Sequence, residues 1–325
     1  MKPLFLLFAL VFCVRVHSVS FTDDLGRTVH IEHPRAVASL QGSLATLWLL
    51  SGGTLAAATT DCFLEPPKMT SEKAAAENKT WKTDGFFSHQ NGVFSLFGKS
   101  SSDVLNVGAM MSPNAELLIS SGVDFALLSA KQGSHKKIES TLEKAGITCA
   151  FFNYDDFQSF LRIFDIFCKI THSPQNFEKF GKMQEERIAK IISKKSGNQK
   201  SILTLRASTS RVQAKKSSDT TAGTILFSLG CRNVADTDKD GSAEISMEKI
   251  LSDEPDFIFV VTMGVDEQKA LESVKKTLES NPAWKTLRAV KNGRYFVLPR
   301  ELYHFKAGAR WAESYEILSK LFEEK

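Results

Sequence analysis

A chain of 325 residues has room for two domains of ordinary size, and 42% apolar with 24% charged residues is the mix of a soluble globular protein. Global disorder and a fibrous or collagenous chain are thereby excluded. The formal net charge of +4 is too small to supply the basic field that nucleic-acid binding needs.

Residues 1–20 have the layout of a secretory signal: Lys2, an apolar run from Leu4 to Val14, then the small residues Ser18 and Ser20. The mature chain is expected to begin near Phe21, in the periplasm, and loss of Lys2 and Arg15 lowers the net charge to +2. Cys13 raises the alternative of a lipid anchor, but Phe12 stands where a small residue normally precedes a lipidated cysteine. Beyond this run no stretch of about 18 residues free of charge could span a bilayer.

Short apolar runs bounded by turn residues follow at 36–40, 54–59, 125–129 and 147–153, as in buried parallel strands. Helical patterns at 44–50 and 134–145 lie between them, the second closing at Gly146. This alternation predicts an N-terminal α/β lobe over 21–154 with a mostly parallel sheet. From 155 to 195 apolar residues recur at helical spacing, with an interruption near Pro174, which predicts a helical connector. Candidate strands at 201–205, 256–262 and 294–298 then place a second α/β lobe over 196–325.

The two lobes share a weak repeat. ELLISSGVDFALLS at 116–129 aligns with EKILSDEPDFIFVV at 248–261, and each copy follows an Asn-Val pair, Asn106-Val107 or Asn233-Val234. Residues 64–104 stand apart as a polar, irregular insertion that nonetheless carries Trp81, Phe86, Phe87, His89, Phe94 and Phe97.

Enzyme signatures are missing: there is no GxGxxG after a strand, no P-loop, no GxSxG and no HExxH. Asp236, Asp238, Asp240 and Gly241 spell the opening of a calcium loop, but Met247 occupies the place of its closing glutamate, so a plain acidic turn is expected. Six histidines remain beyond the leader, spread singly, and His30, His33 and His172 read as solvated surface. Four cysteines, Cys62, Cys149, Cys168 and Cys231, lack CxxC spacing; one disulfide is open but unassigned. Glu116 and Glu248 each fall in the first turn of a helix, where a carboxylate complements the dipole. Their equivalent places in both lobes also suit two exposed carboxylates presented to a basic partner.

The opening FTDDLGRTVHIEHP with VASLQGSLATLWLL, the two repeat units and the ending NPAWKTLRAVKNGRYFVLPRELYHFKAGARWAESYEILSKLF resemble the substrate-binding proteins of ABC importers for ferric siderophores, haem and cobalamin. The resemblance spans nearly the whole mature chain. It implies two Rossmann-like lobes bridged by a long α-helix, a ligand held between them with little hinge motion, no catalysis, and no resident cofactor. It also implies a partner, a permease dimer with its ATPase, whose arginines would meet Glu116 and Glu248. A monomer is expected. The cargo does not carry over, because the family has no single ligand, and the insertion departs from the shorter family pattern.

In open α/β sheets ligands bind beyond the carboxyl ends of the strands. That places Ser43, His135, Arg206, Arg211, Tyr303 and His304 where the acidic groups or metal of a chelate could be met. Phe63, Phe86, Phe87 and Phe305 are placed to stack on a flat apolar ligand. The expected cargo is a metal chelate, a ferric siderophore, haem or a corrinoid; a bare zinc or manganese ion, or a secreted enzyme on the same scaffold, are the alternatives.

Overall fold

A computed structural model describes residues 18–63, 103–237, 246–264 and 266–323. The chain opens on a hairpin, β1 (Val19–Thr22) with β2 (Thr28–Ile31), so regular structure starts two residues ahead of the expected mature terminus at Phe21. The first lobe continues through β3 (Val37–Ser39), α1 (Gly42–Leu50), β4 (Ala57–Ala58), β5 (Leu105–Asn106) and a small ladder of β6 (Gly108–Ala109) and β7 (Ser112–Pro113). It closes with α2 (Ala115–Ser120), β8 (Phe125–Ser129), α3 (Gly133–Lys144) and β9 (Thr148–Phe152). Its sheet is wholly parallel in the order β5-β4-β3-β8-β9.

The connector is helical but broken. α4 (Phe157–Ile170) starts on a capping box, in which the Asp156 side chain accepts from the Ser159 N–H. It stops at Thr171, and His172 turns left-handed (φ 52) ahead of Pro174. A second helical run then extends from α5 (Pro174–Phe177) through a π-turn at Glu178–Lys182 to α6 (Met183–Ser193).

The second lobe holds β10 (Ser201–Ala207), β11 (Val212–Lys215), α7 (Thr221–Ser228), β12 (Arg232–Asn233), α8 (Met247–Asp253) and β13 (Phe257–Thr262). After these come α9 (Glu267–Val274), α10 (Arg288–Lys291), β14 (Tyr295–Leu298), α11 (Arg300–Tyr303) and α12 (Trp311–Glu323). Its sheet runs β11-β10-β13-β14, with β12 also beside β10. Only the β10–β11 pair is antiparallel among these strands, a hairpin whose second strand is not among the candidate strands expected for this lobe.

The sequence repeat has a structural counterpart. Asp124, just ahead of β8, accepts the N–H groups of Arg35 and Ala36 at the start of β3 (3.0 and 3.1 Å), while Asp256, just ahead of β13, accepts the Ser201 N–H that opens β10 (2.9 Å). In both lobes one carboxylate therefore pins the register of two parallel neighbours. Burial alone would raise the Asp256 carboxyl, but its bonds from Ser201 and the charge of Arg288 hold it below the usual range. The repeated asparagines match as well: Asn106 accepts from Gly108 N–H (3.0 Å) and Asn233 from Ala235 N–H (3.2 Å).

Side chains along the central strands alternate between two apolar layers. Ala126 and Leu128 face an outer cluster in the first lobe, and Ile258 and Val260 face one in the second. Phe125, Leu127, Phe257 and Phe259 instead enter a third cluster that runs through α1, α4 and α12 and is common to both lobes. Trp311 lies at its centre. Its ring packs on Phe157 and Phe160, and its indole N–H donates to the Tyr154 hydroxyl (3.0 Å). Burial drives that phenol well above its ordinary pKa, so it stays neutral. Tyr154→Phe would strand the indole N–H in an apolar layer. A loss of about 1–3 kcal/mol is expected in denaturant unfolding, with part of it recovered when Trp311→Phe is added; an unchanged midpoint in the single variant would count against this bond.

Candidate functional site: the cavity between the lobes

One cavity of about 910 Å³ is lined by both lobes, a volume within the ordinary range for small-molecule sites. The first lobe supplies Lys131, which follows β8, and Asp155 and Asp156, which follow β9. The second lobe supplies Arg206 from β10, the turn from Lys215 to Thr221, and Tyr303, His304 and Lys306 beyond β14. Phe227 adds an exposed ring.

The turn ahead of α7 is tightly built. Both Asp236 oxygens are spent on Ser217, one accepting its N–H (2.7 Å) and the other its hydroxyl (2.8 Å). Thr220 caps α7 by accepting the Gly223 N–H (2.9 Å). Gly223 is required there, since a Cβ would stand 2.7 Å from the Ser217 carbonyl oxygen. The acidic run beginning at Asp236 thus anchors this loop at its first residue; Asp238, Asp240 and Gly241 lie outside the described residues. Among the described residues no group of three or more His, Cys, Asp or Glu side chains could hold a metal ion. The four cysteines described are buried free thiols, and burial pushes Cys149, Cys168 and Cys231 up to about 12.

Charge in the cavity is arranged asymmetrically. Asp155 is paired with Lys131 (2.6 Å), and Asp156 is turned to its helix cap. Lys306 donates across the cavity to the Asp155 carbonyl (2.6 Å) and to the Thr221 hydroxyl (3.3 Å), from a left-handed backbone (φ 74). Arg206 uses one N–H on the Asp219 carbonyl (2.7 Å). Lys215 and Lys216 have no ion pair among the described residues. Burial depresses Lys306 to about 8, against the pull of Asp155 and with help from Lys131. Burial and the nearby Arg206 lower Lys215. His304 falls to about 4, first through burial and then through the charges of Arg300, Arg206 and Lys306, so it is a neutral imidazole at ordinary pH.

The side chains expected at the ligand separate into three groups. Arg206, Tyr303 and His304 line the cavity together. Tyr303 presents no free hydroxyl, because its O–H donates to the Ser314 carbonyl (2.7 Å) inside the core. Phe305 is exposed next to His304, their ring centres 4.8 Å apart, with the Arg300 guanidinium over its other neighbourhood at 4.9 Å. His135, by contrast, is a core bracket: its Nδ1 accepts the Ser129 N–H (2.9 Å), its Nε2 meets the Met110 carbonyl (2.9 Å), and burial keeps it neutral. Arg211 stands at the exposed β10–β11 turn off the cavity, Ser43 has a buried hydroxyl without a partner, and Phe63 packs against the shared core. Phe86 and Phe87 lie outside the described residues.

Lys131, Lys215, Lys216 and Lys306 were not singled out in the sequence. The usable signal was the polar run Ser217-Ser218-Asp219-Thr220-Thr221 ahead of an apolar helix, which marks a capped helix start and so a turn at a strand end. Glu116 and Glu248 sit one residue inside α2 and α8, capped by Asn114 and Ser246. Each helix leads into a parallel strand, so its N-terminus lies at the side of the carboxyl ends. Both carboxylates are exposed, without an ion pair among the described residues.

Comparison with known proteins agrees with this architecture. The chain is 25% identical over 322 residues to a putative ABC transporter substrate-binding lipoprotein, YhfQ, of Bacillus subtilis, covering 95% of this chain and 88% of that one. It is 27% identical over 231 residues to the Fe(3+)-citrate-binding protein YfmC of the same organism, 69% of each chain. The fold matches the triscatecholate siderophore binding protein FeuA of Bacillus subtilis, solved with ferri-bacillibactin, with a TM-score of 0.65, 18% identity, and coverage of 94% of this chain and 99% of that one. The profile of the periplasmic binding protein family matches residues 68–302, which take in both repeat units, the connector and the cavity lining other than Tyr303, His304 and Lys306, and the chain belongs to that family.

Proposed function

We propose that this chain is an extracytoplasmic substrate-binding protein that takes an anionic iron(III) chelate into the cavity between its lobes, leaves it chemically unchanged, and presents it to an ABC permease and its ATPase. The observation that carries this reading is the gathering of Lys131, Arg206, Lys215, Lys216 and Lys306 around one cavity, where burial first and the repulsion of positive neighbours second lower Lys215, His304 and Lys306. A bound anion relieves that repulsion, and donors such as Arg206 give it direction. The named ligands of two similar proteins, ferric citrate and ferri-bacillibactin, are of this class. A haem-type ligand is the second reading, favoured by the neutral ring of His304, which has no hydrogen bond among the described residues, beside the exposed Phe305.

Ferric citrate, a ferric tris-catecholate and hemin, each titrated into the protein, separate these readings. One of the two anionic chelates is expected to bind at about micromolar or tighter. A Soret shift with hemin alone would select the second reading, and tight binding of only free zinc or manganese would reject both. Arg206→Ala with Lys215→Ala is expected to weaken chelate binding about 10- to 100-fold, the loss of about 1.5–3 kcal/mol for a hydrogen bond to a charged group.

The pH dependence has a definite sign. Lys306 is cationic below about 8 and neutral above it, so chelate affinity should fall as pH rises through 8, while His304, neutral down to about 4, adds no change near neutrality. Lys306→Arg should carry the affinity on to pH 9 if the charge is what matters; the same decline in that variant would assign the effect elsewhere.

Glu116 and Glu248 complete the proposal as docking carboxylates for basic residues of the permease. Replacing both with Ala should leave chelate affinity within about threefold and cost at most about 1 kcal/mol of stability through the helix dipoles, yet sharply reduce uptake by cells. Full uptake by the double variant would leave these glutamates with a helix-dipole role alone.

A further inference from the structure

Away from the cavity, two histidines separated by 139 positions meet on the surface. The Nε2 atoms of His33 and His172 lie 3.1 Å apart, and the ring centres are 4.5 Å apart at an interplanar angle of 48°. Both residues are exposed. They lie at the far end of α4 from Asp155 and Asp156, about 20 Å away by the rise of a 14-residue helix.

The backbones that carry the two rings are held independently of each other. His172 occupies a left-handed turn (φ 52) that the Ser173 N–H fixes on the Cys168 carbonyl (2.9 Å) and the Thr171 hydroxyl fixes on the Ser51 carbonyl (2.7 Å). His33 precedes Pro34 and the Arg35–Ala36 segment, whose N–H groups are held by Asp124. A left-handed backbone at a residue other than glycine persists only where its surroundings fix it.

Two bare imidazole lone pairs at this separation repel, so either one ring donates its proton to the other or a cation lies between them. Two metal–nitrogen bonds of about 2.0–2.1 Å place their nitrogens about 2.9 Å apart at a square-planar angle and about 3.3 Å apart at a tetrahedral one. The observed spacing falls between these values. We propose that His33 and His172 form a two-histidine surface site for one first-row divalent ion of the copper, nickel or zinc type, with its other positions open to water or to a donor from a second molecule. This site is distinct from the chelate cavity and does not depend on what that cavity binds.

Copper(II) titrated into the chelator-treated full chain, followed by calorimetry and electron paramagnetic resonance, tests the site. Equimolar binding with hyperfine coupling to two nitrogens is expected. His33→Ala and His172→Asn should each weaken that binding roughly tenfold or more, since loss of a ligand exceeds the usual cost of altering its support, and should remove one nitrogen coupling. Asparagine tolerates the left-handed backbone, so the second variant keeps the turn. His30→Ala, which alters a histidine hydrogen-bonded to Ser20 instead, should leave the copper signal as it is. Unchanged affinity and nitrogen coupling in His33→Ala or His172→Asn would overturn the proposal and leave a plain hydrogen bond between the rings.

Discussion

The bond from the Trp311 indole to the Tyr154 hydroxyl fixes where the two lobes meet, and the cavity depends on it. Tyr154 ends the last strand region of the first lobe, and Trp311 begins the C-terminal helix that packs on α6. The segment between β14 and Trp311 is therefore held against the first lobe at its end, with Gly308 close to Thr46 of α1. His304, Phe305 and Lys306 all lie on that segment. Because the apolar cluster around Trp311 is common to both sheets, opening the cavity widely would expose core side chains to water. The same packing that stabilises the fold thus opposes opening of the lobes, and the cavity between them is formed by it in advance. Preformed donors bind with a smaller ordering cost than a cleft that must close.

Preorganisation has an electrostatic cost. Three of the carboxylates around the cavity are committed to neighbours, Asp236 to Ser217, Asp155 to Lys131 and Asp156 to the start of α4, while the fourth, Asp219, acts on Arg206 and Lys215. Behind His304, the buried Arg300 spends one N–H group on the Gly264 carbonyl and leaves Nε and Nη1 without hydrogen-bond partners among the described residues. Burial lowers its pKa, although Glu267 and Glu301 oppose the shift. Positive groups are thus kept close together, offset only in part by Asp155 beside Lys131 and Lys306 and by Asp219 beside Arg206 and Lys215. A buried or half-buried cation without a counter-ion is unfavourable on its own. Such an arrangement fits a site whose missing charge arrives with its ligand.

Much of the fold was legible because it rests on short-range pattern. The run at 125–129 coincides with β8, and the runs at 256–262 and 294–298 differ from β13 and β14 by one residue at one end. Gly146, read as the cap of α3, has the left-handed backbone that the cap needs (φ 83). The site was less legible, since it depends on which side chains turn inward after distant segments meet. His135 follows a strand at its carboxyl end, as a ligand residue would, but the Met110 carbonyl arrives from another loop and closes its second nitrogen. Lys306 lies one residue beyond Phe305, the last of the side chains expected at the ligand. The β10–β11 hairpin was missed because Ser208 to Arg211 looks like any polar loop, and with it went the position of Lys215. His33 and His172 had no signal at all, because a pairing across 139 positions leaves no local pattern.

The repeat links these observations. It was visible as matching letters, Glu, Ser, Asp and Phe, and three of them have a physical task. The aspartates tie a strand to its parallel neighbour, the phenylalanines that follow them, Phe125 and Phe257, enter the common core, and the glutamates stand at helix starts on the side of the carboxyl ends. Helix start, strand pin and core side chain therefore come as one rigid unit in each lobe. Glu116 and Glu248 are thus each tied, through the strand that follows, to the core that both lobes share. A partner that grips both carboxylates would consequently act on the cavity through packed core rather than through a flexible linker, and ligand release would require work against that core.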